Sequence, residues 1–307
     1  MPEHGNNKTL IVVVGPTAIG KTALSIVLAQ HFSTEIISAD SRQFFKEMEI
    51  GTAKPSAEEL SAATHHFINS HHIGTLFSIG DFESEVLQLT EKLFEDHETL
   101  IMVGGSGLYV DAVCNGLDQL PDTDLKVREE LNALLATNGI NEIRKQLEHA
   151  DPEYYAKVDQ FNPQRMIRGL EFFLSTGQKF SSYMTNQRKS RPFKVVKIGL
   201  NTDRTILYDR INNRVDLMMT SGLLEEVRDL IAYRDLNALK TVGYTELFNY
   251  LDGAITLEEA IDKIKQNTRR FAKRQLTWFR KDDQIHWFEP NEDLAAIHYL
   301  ENILKKA

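Results

Sequence analysis

The sequence lacks most features of secreted, membrane and cysteine-based metal proteins. A single cysteine, Cys114, among 307 residues excludes an intrachain disulfide and a metal site built from several cysteines. No apolar run reaches the roughly 18 residues that span a bilayer, and the polar start, MPEHGNNK, is not typical of a secretory signal. We therefore expect a cytoplasmic protein with no membrane partner.

The histidines do not form a recognisable metal motif. HExxH is missing, and four of the ten histidines occur as adjacent pairs, His65 with His66 and His71 with His72. Adjacent side chains point in different directions on a helix or a strand, so such a pair chelates a metal poorly. We expect these histidines to be structural or to face solvent.

Excess positive charge is also missing overall, but the charge is unevenly distributed. The formal net charge of −9 alone argues against a protein that coats nucleic acid. Residues 164–214 nevertheless carry eleven Lys and Arg against three Asp and Glu, and residues 261–281 carry eight against one. Local basic surfaces decide contact with phosphate backbones. Both segments are therefore candidates for nucleic-acid binding, with solvated helix faces as the alternative.

A phosphate-binding loop is the first positive signal. GPTAIGKT follows the apolar run TLIVVV and matches glycine, four residues, glycine, lysine, threonine. The glycines let backbone N–H groups close around phosphate oxygens. Lys21 supplies a positive charge, and the Thr22 hydroxyl is placed to ligate Mg²⁺. The expected diphosphate- or nucleotide-binding residues are Gly15, Pro16, Thr17, Ala18, Ile19, Gly20, Lys21 and Thr22.

Apolar segments separated by helical stretches predict a parallel sheet covered on both faces. We expect a helix from Lys21 to about His31 and strands at TLIVVV, EIISA, TLIMV, KVVKIGL and IHWF. Parallel sheets bind ligands beyond the carboxyl ends of their strands, and GPTAIGKT, ADSRQ and GGSGLY follow three of these strands. We expect one crevice there. Asp40, at the end of the second strand, could hold a metal, act as a base, or serve only as a turn or helix N-cap residue.

The middle of the chain has a different pattern. VREELNALLATNGINEIRKQLEH and QRMIRGLEFFLSTG have apolar residues at helical spacing, without a convincing strand. The fold class we predict is α/β, a parallel sheet core like that of P-loop NTPases with a helical insertion domain. We expect the insertion at 121–186, and the core domain, which includes the C-terminal helices, at 1–120 and 187–307.

Basic and aromatic residues alternate in QNTRRFAKRQLTWFRK. On a helix, Arg269 and Lys273 share one face and Arg270 and Arg274 another, with three aromatic residues interleaved. This combination suits a single-stranded RNA loop, through phosphate contacts and base stacking. A core helix whose basic side chains extend to solvent is the alternative.

Taken in order, the motifs resemble one family. GPTAIGKT, ISADSRQ, IGTAKP, HHFI, VGGSGLYV, QRMIRGLE, VGY and AKRQLTWFR, from about residue 11 to 288, are similar to motifs of the tRNA dimethylallyltransferases. The resemblance implies transfer of a dimethylallyl group from dimethylallyl diphosphate to N6 of the adenosine just 3′ of the anticodon, in tRNAs that read codons starting with U. It implies Mg²⁺ as cofactor and the tRNA anticodon stem-loop as partner, gripped by the helical insertion. We also expect a monomer.

The resemblance also assigns residues. Asp40 matches the family's base, Thr17 lies near the diphosphate, Arg214 helps to hold the diphosphate, and Thr22 is near the metal. The positions that match tRNA contacts are Asp40, Ser41, Arg42, Gln43, Ser106, Arg128, Gln164, Arg165, Met166, Ile167, Arg168, Gly243, Tyr244, Lys273, Arg274, Gln275, Trp278 and Arg280.

Two other classes stay open on the residues alone. A small-molecule kinase could bind ATP on the same loop and use Arg128 and Arg144 of the insertion as a lid. A non-catalytic RNA-binding protein could also carry a phosphate loop. The basic and aromatic helix favours an RNA acceptor over a metabolite, and a pure binding protein does not need Asp40 beside the loop.

Overall fold

The computed structural model describes residues 8–185 and 187–305. Within these residues, six strands form one parallel sheet in the order β3-β2-β4-β1-β5-β6. The α/β fold expected from the sequence is confirmed, and so is the helix at Lys21–His31. The strands are β1 Thr9–Val14, β2 Ile36–Ser38, β3 His65–His66, β4 Thr99–Gly104, β5 Lys194–Leu200 and β6 His286–Phe288.

The centre of the sheet explains why the strand sequences are so apolar. All six residues of β1 and of β4 are buried, because helices cover both faces of the sheet. Ile11 and Val13 pack in one hydrophobic cluster, whereas Leu10 and Val12 pack in another. This alternation is what the two-residue period of a strand requires. Each buried aliphatic side chain contributes about 1.5–3 kcal/mol to folding.

Strand register brings the carboxyl ends of the central strands together. Val14, the last residue of β1, lies beside Gly104 of β4, and Ser38 of β2 pairs with Val103. The segments that follow β1, β2 and β4 therefore leave the sheet at one edge. These segments are the phosphate loop, ADSRQ and GGSGLY.

The sequence analysis missed one strand of the sheet. β3, which pairs with β2 through His65 and His66, was not expected, because two histidines carry no apolar strand pattern. The chain divides into two compact units, and the described residues of the first are 8–114 and 190–305. Its helices are α1 Lys21–His31, α2 Ala57–Ala62, α3 Ile79–Asp96, α4 Gly107–Asn115, which ends at the first residue of the second unit, α9 Arg204–Thr220, α10 Leu223–Asp229, α11 Tyr244–Leu251, α12 Leu257–Phe279 and α13 Asp293–Leu304, with short 3₁₀ turns at Ile231–Tyr233 and Asn237–Leu239.

The second compact unit is Asn115–Lys189. The secondary structure of its described residues consists of helices: α5 Leu125–Asn138, α6 Ile140–Ala150, α7 Pro152–Lys157, α8 Pro163–Thr176 and a 3₁₀ turn at Phe180–Tyr183. It has its own core, which includes Leu131, Ile143 and Leu147. The expected insertion, 121–186, falls within this range, and its last residue, Asn186, lies outside the described residues. Residues 1–7 and 306–307 of the expected core domain also lie outside them.

Membrane insertion of a helix finds no support in the structure. None of the helices in residues 8–185 and 187–305 combines the length and hydropathy of a membrane span.

Candidate active site

The two glycines of the phosphate loop have backbone conformations that other residues rarely adopt. Gly15 has φ +146°, and a Cβ on it would lie 2.6 Å from the Leu200 carbonyl oxygen of β5. Gly20, at the N-terminus of α1, has φ +107°. A side chain at Gly15 would therefore separate the loop from the sheet.

Lys21 closes the phosphate loop on itself. Its Nζ donates a hydrogen bond to the Pro16 carbonyl oxygen at 2.8 Å. Burial lowers the pKa of Lys21 to about 8, the charge of Asp40 opposes this change, and the charge of Arg214 adds to it. Lys21 is therefore a partly buried cation whose charge interacts with that of an acid and that of a second cation.

Two arginines of α9 contact the loop from the other side. Arg214 Nη2 donates to Thr17 Oγ1 at 2.7 Å, and Arg210 Nη1 donates to the Ile19 carbonyl oxygen at 2.9 Å. The two arginines are one helical turn apart and share a face of α9. Arg214 was expected here. Arg210 was missed, although its spacing of four from Arg214 in LYDRINNR could have indicated it.

Asp40 lies in a turn at the end of β2. Its Oδ1 accepts a hydrogen bond from the Arg42 backbone N–H at 3.0 Å, and the next helix in the described chain is α2, so Asp40 is not a helix N-cap. Ser41 N–H donates to Ser106 Oγ at 3.1 Å. This bond holds the turn after β2 against the segment after β4.

The side chains of Gln43 and Lys54 hold the loop at 51–55. Gln43, which was expected to contact tRNA, donates from its amide to the carbonyl oxygens of Thr52 and Ala53 at 3.3 and 3.1 Å. Lys54, whose side chain is buried, donates to the Phe45 carbonyl oxygen at 2.7 Å. In the sequence Lys54 was part of the motif IGTAKP, and no contact was predicted for it individually.

Glu226 of α10 anchors the residues just before that loop. Its carboxylate accepts the backbone N–H groups of residues 49–51 at 2.7–3.0 Å and the hydroxyl of Tyr244 at 2.6 Å. Tyr244 is fully buried, and burial raises the pKa of its hydroxyl. Glu226 was missed, because an acid in LLEEVRD has no distinguishing local pattern.

All these segments line one cavity of about 760 Å³. One part of the wall is the phosphate loop with Lys21 and the α9 arginines, and Asp40 belongs to the same wall. Another part is apolar. The side chains there are Val215, Leu217, Met218, Leu223, Val242, Ile264 and Phe271. The cavity therefore combines cations and loop N–H groups that suit an anion, a carboxylate, and a surface that suits a small hydrocarbon group.

The expected tRNA-contacting residues of α12 divide between two sides of the helix. Lys273, Arg274, Trp278 and Arg280 are exposed. Gln275 is buried, and its amide bonds to backbone atoms of the phosphate loop and of the segment after β4. Contact with tRNA stays a prediction for all five, and the buried position of Gln275 gives it a different role in this structure.

The expected contacts in α8 divide in the same way. Gln164 and Arg165 are exposed, whereas Met166 and Ile167 are fully buried in the core of the helical unit. A helix turns about 100° per residue, so five consecutive residues cannot all face outward. Arg168 is partly exposed.

A buried carboxylate holds two of the expected tRNA-contacting arginines. Glu171 accepts hydrogen bonds from Arg128 and Arg168, and from the Thr123 hydroxyl at 2.9 Å. Burial alone would raise the pKa of Glu171, but the hydrogen bonds from Arg128 and Thr123 lower it below its ordinary value. Arg144, the other arginine considered for a lid, donates to the Gln160 carbonyl oxygen.

Among the described residues, no group of three or more His, Cys, Asp and Glu side chains could hold a metal ion by itself. The histidine pairs have protein partners instead: His66 bonds to Glu35, and His72 bonds to Glu47. Thr22, the residue expected near the metal, lines the cavity, and its contact with Mg²⁺ stays a prediction.

The fold and the cavity define an α/β protein with a phosphate loop that presents a carboxylate and an apolar wall to a phosphorylated ligand. Residues 43–282 match the model of the IPP transferase family. The chain is 55% identical to a tRNA dimethylallyltransferase of Christiangramia forsetii, over 95% of this chain and 97% of that one. It is 51% identical to one of Flavobacterium johnsoniae, over 98% and 99%. The chain belongs to the IPP transferase family.

Solved structures agree with this assignment. A tRNA isopentenylpyrophosphate transferase of Bacillus halodurans matches with a TM-score of 0.73 and 37% identity, over 97% of both chains. A eukaryotic dimethylallyltransferase acting on tRNA matches with a TM-score of 0.80 and 26% identity, over 97% of this chain and 80% of that one. The resemblance inferred from the motifs is confirmed, and it decides against the kinase and the non-catalytic RNA-binding protein.

Proposed function

We propose that the protein transfers the dimethylallyl group of dimethylallyl diphosphate to N6 of the adenosine just 3′ of the anticodon, in tRNAs that read codons starting with U. The product is N6-isopentenyladenosine. Beyond family membership, one observation carries the proposal: Lys21, Arg214 and Asp40 line one cavity that also has an apolar wall. The two cations suit a diphosphate, the carboxylate suits an amine that must lose a proton, and the apolar wall suits a short hydrocarbon group.

The phosphate loop holds the leaving group in this proposal. The bond between the allylic carbon and the diphosphate oxygen breaks, and its electron pair leaves with the diphosphate. Negative charge grows on that oxygen, so preorganised N–H donors and the cations Lys21 and Arg214 stabilise the transition state more than the ground state. The hydroxyl of Thr17, a residue of the loop, accepts a hydrogen bond from Arg214 and joins this cation to the loop.

Asp40 acts on the acceptor. The N6 lone pair forms the new bond to the allylic carbon, and one N6 proton moves to the Asp40 carboxylate. Because N6 lies inside the base stack in a helical RNA, the adenosine must leave the stack to reach a carboxylate inside a cavity. The residues after Asp40, Ser41 to Gln43, also line the cavity and are proposed to contact the displaced nucleotide.

The apolar wall protects the reacting carbon. As the carbon–oxygen bond weakens, the allyl group gains positive charge and becomes open to attack by water. A wall that includes Met218, Leu223 and Ile264 favours the hydrocarbon and disfavours water. We propose that the dimethylallyl group packs there.

Mg²⁺ is the proposed cofactor. Mg²⁺ in proteins is usually held by one or two side chains together with substrate phosphates, and the Thr22 hydroxyl, which lines the cavity, fits such a shared site. When bound, Mg²⁺ would neutralise part of the charge on the diphosphate oxygens. The protein groups retain their separate tasks: Lys21 and Arg214 bind the anion, and Asp40 takes the proton.

The tRNA partner is proposed to bind exposed basic residues, among them Lys273, Arg274 and Arg280 of the first compact unit and Arg165 of the second. Exposed aromatic residues of α12, Phe271 and Trp278, are 38% and 37% exposed and suit stacking with bases. We propose that the protein works as a monomer in the cytoplasm, the compartment of its tRNA substrate.

The test uses purified protein, Mg²⁺, unmodified tRNA with adenosines in the anticodon loop, and either dimethylallyl diphosphate or ATP. Mass spectrometry of the digested tRNA detects an isopentenyl group on adenosine. We expect the group only with the allylic diphosphate. Unmodified tRNA together with consumption of ATP would contradict the proposal and would indicate that the phosphate loop binds a nucleotide.

A further inference from the structure

One buried side chain of α12 joins two cavity-lining segments. Gln275 Oε1 accepts the Thr17 backbone N–H of the phosphate loop at 2.8 Å, and its Nε2 donates to the Gly105 carbonyl oxygen at 2.9 Å. Gln275 is 6% exposed. Its amide therefore uses both an acceptor and a donor inside the protein, on two backbones that are distant in sequence.

The GGSGLY segment is shaped to receive α12. A Cβ on Gly105 would lie 2.2 Å from Gln275 Nε2, and a Cβ on Gly107 would lie 2.3 Å from the Trp278 ring. Gln275 and Trp278 are three residues apart, so neighbouring turns of α12 pack on these two glycines. Any other residue at Gly105 would occupy the space of the glutamine amide.

Thr17 is held at its backbone N–H and at its side-chain hydroxyl. Its backbone N–H is held by Gln275, and its side-chain hydroxyl accepts from Arg214. Arg214 and Lys21 are the cations proposed to bind the diphosphate, and both line the same cavity as Thr17. Movement of Thr17 would therefore change the position of Arg214 relative to the phosphate loop.

We propose that Gln275 is a positioning residue for the diphosphate site, acting through Thr17 on Arg214, and not a contact for tRNA. The inference rests on the proposed function, because it requires that the phosphate loop binds the diphosphate. It also gives α12 two separate tasks: exposed Lys273 and Arg274 serve the RNA, and buried Gln275 serves the anion site.

The key variant is Gln275→Met, which keeps the length of the side chain and removes both hydrogen bonds. Lys273→Met is the matched control, because it makes the same kind of change on the exposed side of the same helix. For both, calorimetry with inorganic pyrophosphate and Mg²⁺ gives the anion Kd, filter binding gives the tRNA Kd, and steady-state assays give kcat and KM for dimethylallyl diphosphate.

We expect Gln275→Met to raise the pyrophosphate Kd and the KM for dimethylallyl diphosphate about tenfold, with the tRNA Kd within about twofold of wild type. Lys273→Met should weaken tRNA binding and leave the pyrophosphate Kd unchanged. A purely structural role for Gln275 would lower the unfolding temperature and leave the pyrophosphate Kd of the folded protein unchanged, and that result overturns the proposal. Weaker tRNA binding with normal pyrophosphate binding also overturns it.

Gly105→Ala tests the same contact from the other side. Its new methyl group should displace the amide and raise the pyrophosphate Kd in the wild-type background, but it should add little to Gln275→Ala, which removes the amide. Equal effects in both backgrounds contradict the proposal. If Gln275→Met does not fold, Gln275→Leu replaces it, because it is also uncharged and also removes both the acceptor for Thr17 and the donor to Gly105.

The wild-type protein separates this proposal from the proposed function. If wild-type protein does not prenylate tRNA, the proposed function fails whatever the variants do. If it does prenylate tRNA and Gln275→Met binds pyrophosphate normally, only the positioning role of Gln275 fails.

Discussion

Two carboxylates near the cavity, Asp40 and Glu226, differ in how their oxygens are used. Asp40 lines the cavity, and its Oδ1 accepts one backbone N–H, from Arg42. Glu226 accepts three backbone N–H groups of residues 49–51 and the hydroxyl of Tyr244. The first carboxylate faces space that a substrate can occupy, whereas the second is engaged by the protein itself.

This difference matches two different roles: Asp40 is proposed to take part in the reaction, whereas Glu226 stabilises the backbone. Burial lowers the pKa of Lys21 and of Arg214, and the negative charge of Asp40 opposes this lowering at both residues. The charge of Asp40 therefore acts on the two cations that are proposed to bind the diphosphate. Glu226 instead fixes the backbone that leads into the 51–55 cavity wall. Removing each carboxylate should therefore damage different properties of the protein.

The largest effect is expected from Asp40→Ala. Removing the proposed base should lower kcat for transfer about a thousandfold, because N6 then has no carboxylate to take its proton. Pyrophosphate binding should change far less, since the phosphate loop is intact. Single-turnover transfer and calorimetry measure the two quantities, and near-normal transfer by this variant would remove Asp40 from the mechanism.

Glu226→Gln should act on stability first. An amide NH₂ in place of one carboxylate oxygen would face backbone N–H donors, so the free energy of unfolding should fall by about 2–4 kcal/mol. Glu225→Gln is the matched control: this neighbouring acid is exposed and should change stability by less than about 0.5 kcal/mol. Denaturant unfolding compares them. A Glu226→Gln protein as stable as wild type, but as inactive as Asp40→Ala, would reverse the roles of the two acids.

The position of Asp40 at the cavity could be predicted from the sequence. GPTAIGKT and the strand ends are contiguous patterns, and the fixed register of parallel strands brings the exits of β1, β2 and β4 together. A local motif after a buried strand therefore predicts both the residue type and its position at the crevice.

The contacts of Glu226 could not be predicted from the sequence. Glu226 and residues 49–51 are separated by about 175 positions, and Gln275 and Thr17 by 258. No local pattern encodes such contacts, because they arise from the packing of helices onto loops. For the same reason, Gln275 was grouped with its exposed neighbours and Met166 with surface residues of α8.

A smaller, pH-dependent effect sharpens the difference between the two acids. The pKa of Lys21 is about 8, against an ordinary value of 10.5, because burial disfavours the charged form. Between these values the unfolded chain holds more protons, so the free energy of unfolding should rise with pH from about 8 to 10.5. Loss of the Lys21 charge should meanwhile raise the pyrophosphate Kd, by at most about tenfold per pH unit.

The variants test which carboxylate supports that charge. In Asp40→Asn, the rise in pyrophosphate Kd should begin at a lower pH, because the charge of Asp40 raises the pKa of Lys21. In Glu226→Gln it should begin at the wild-type pH. Calorimetric titrations from pH 6 to pH 10, with Lys21→Met as the variant lacking this dependence, check the prediction. If that pH were shifted in Glu226→Gln and not in Asp40→Asn, Glu226 and not Asp40 would be the acid that supports the charge of Lys21, and the prediction would be wrong.

The smallest effect is expected from Tyr244→Phe, which removes one of the four donors to Glu226. The ring still fills its buried site, where it lies close to Gly51, so packing is kept and only the hydrogen bond at 2.6 Å is lost. The free energy of unfolding should fall by about 1–2 kcal/mol, with kcat nearly unchanged. Tyr233→Phe, at a half-exposed tyrosine, is the control and should be neutral. Because three backbone donors remain, residues 49–51 should stay in place; a loss of activity as large as that of Glu226→Gln would mean that the tyrosine hydroxyl, and not the carboxylate, fixes this part of the cavity.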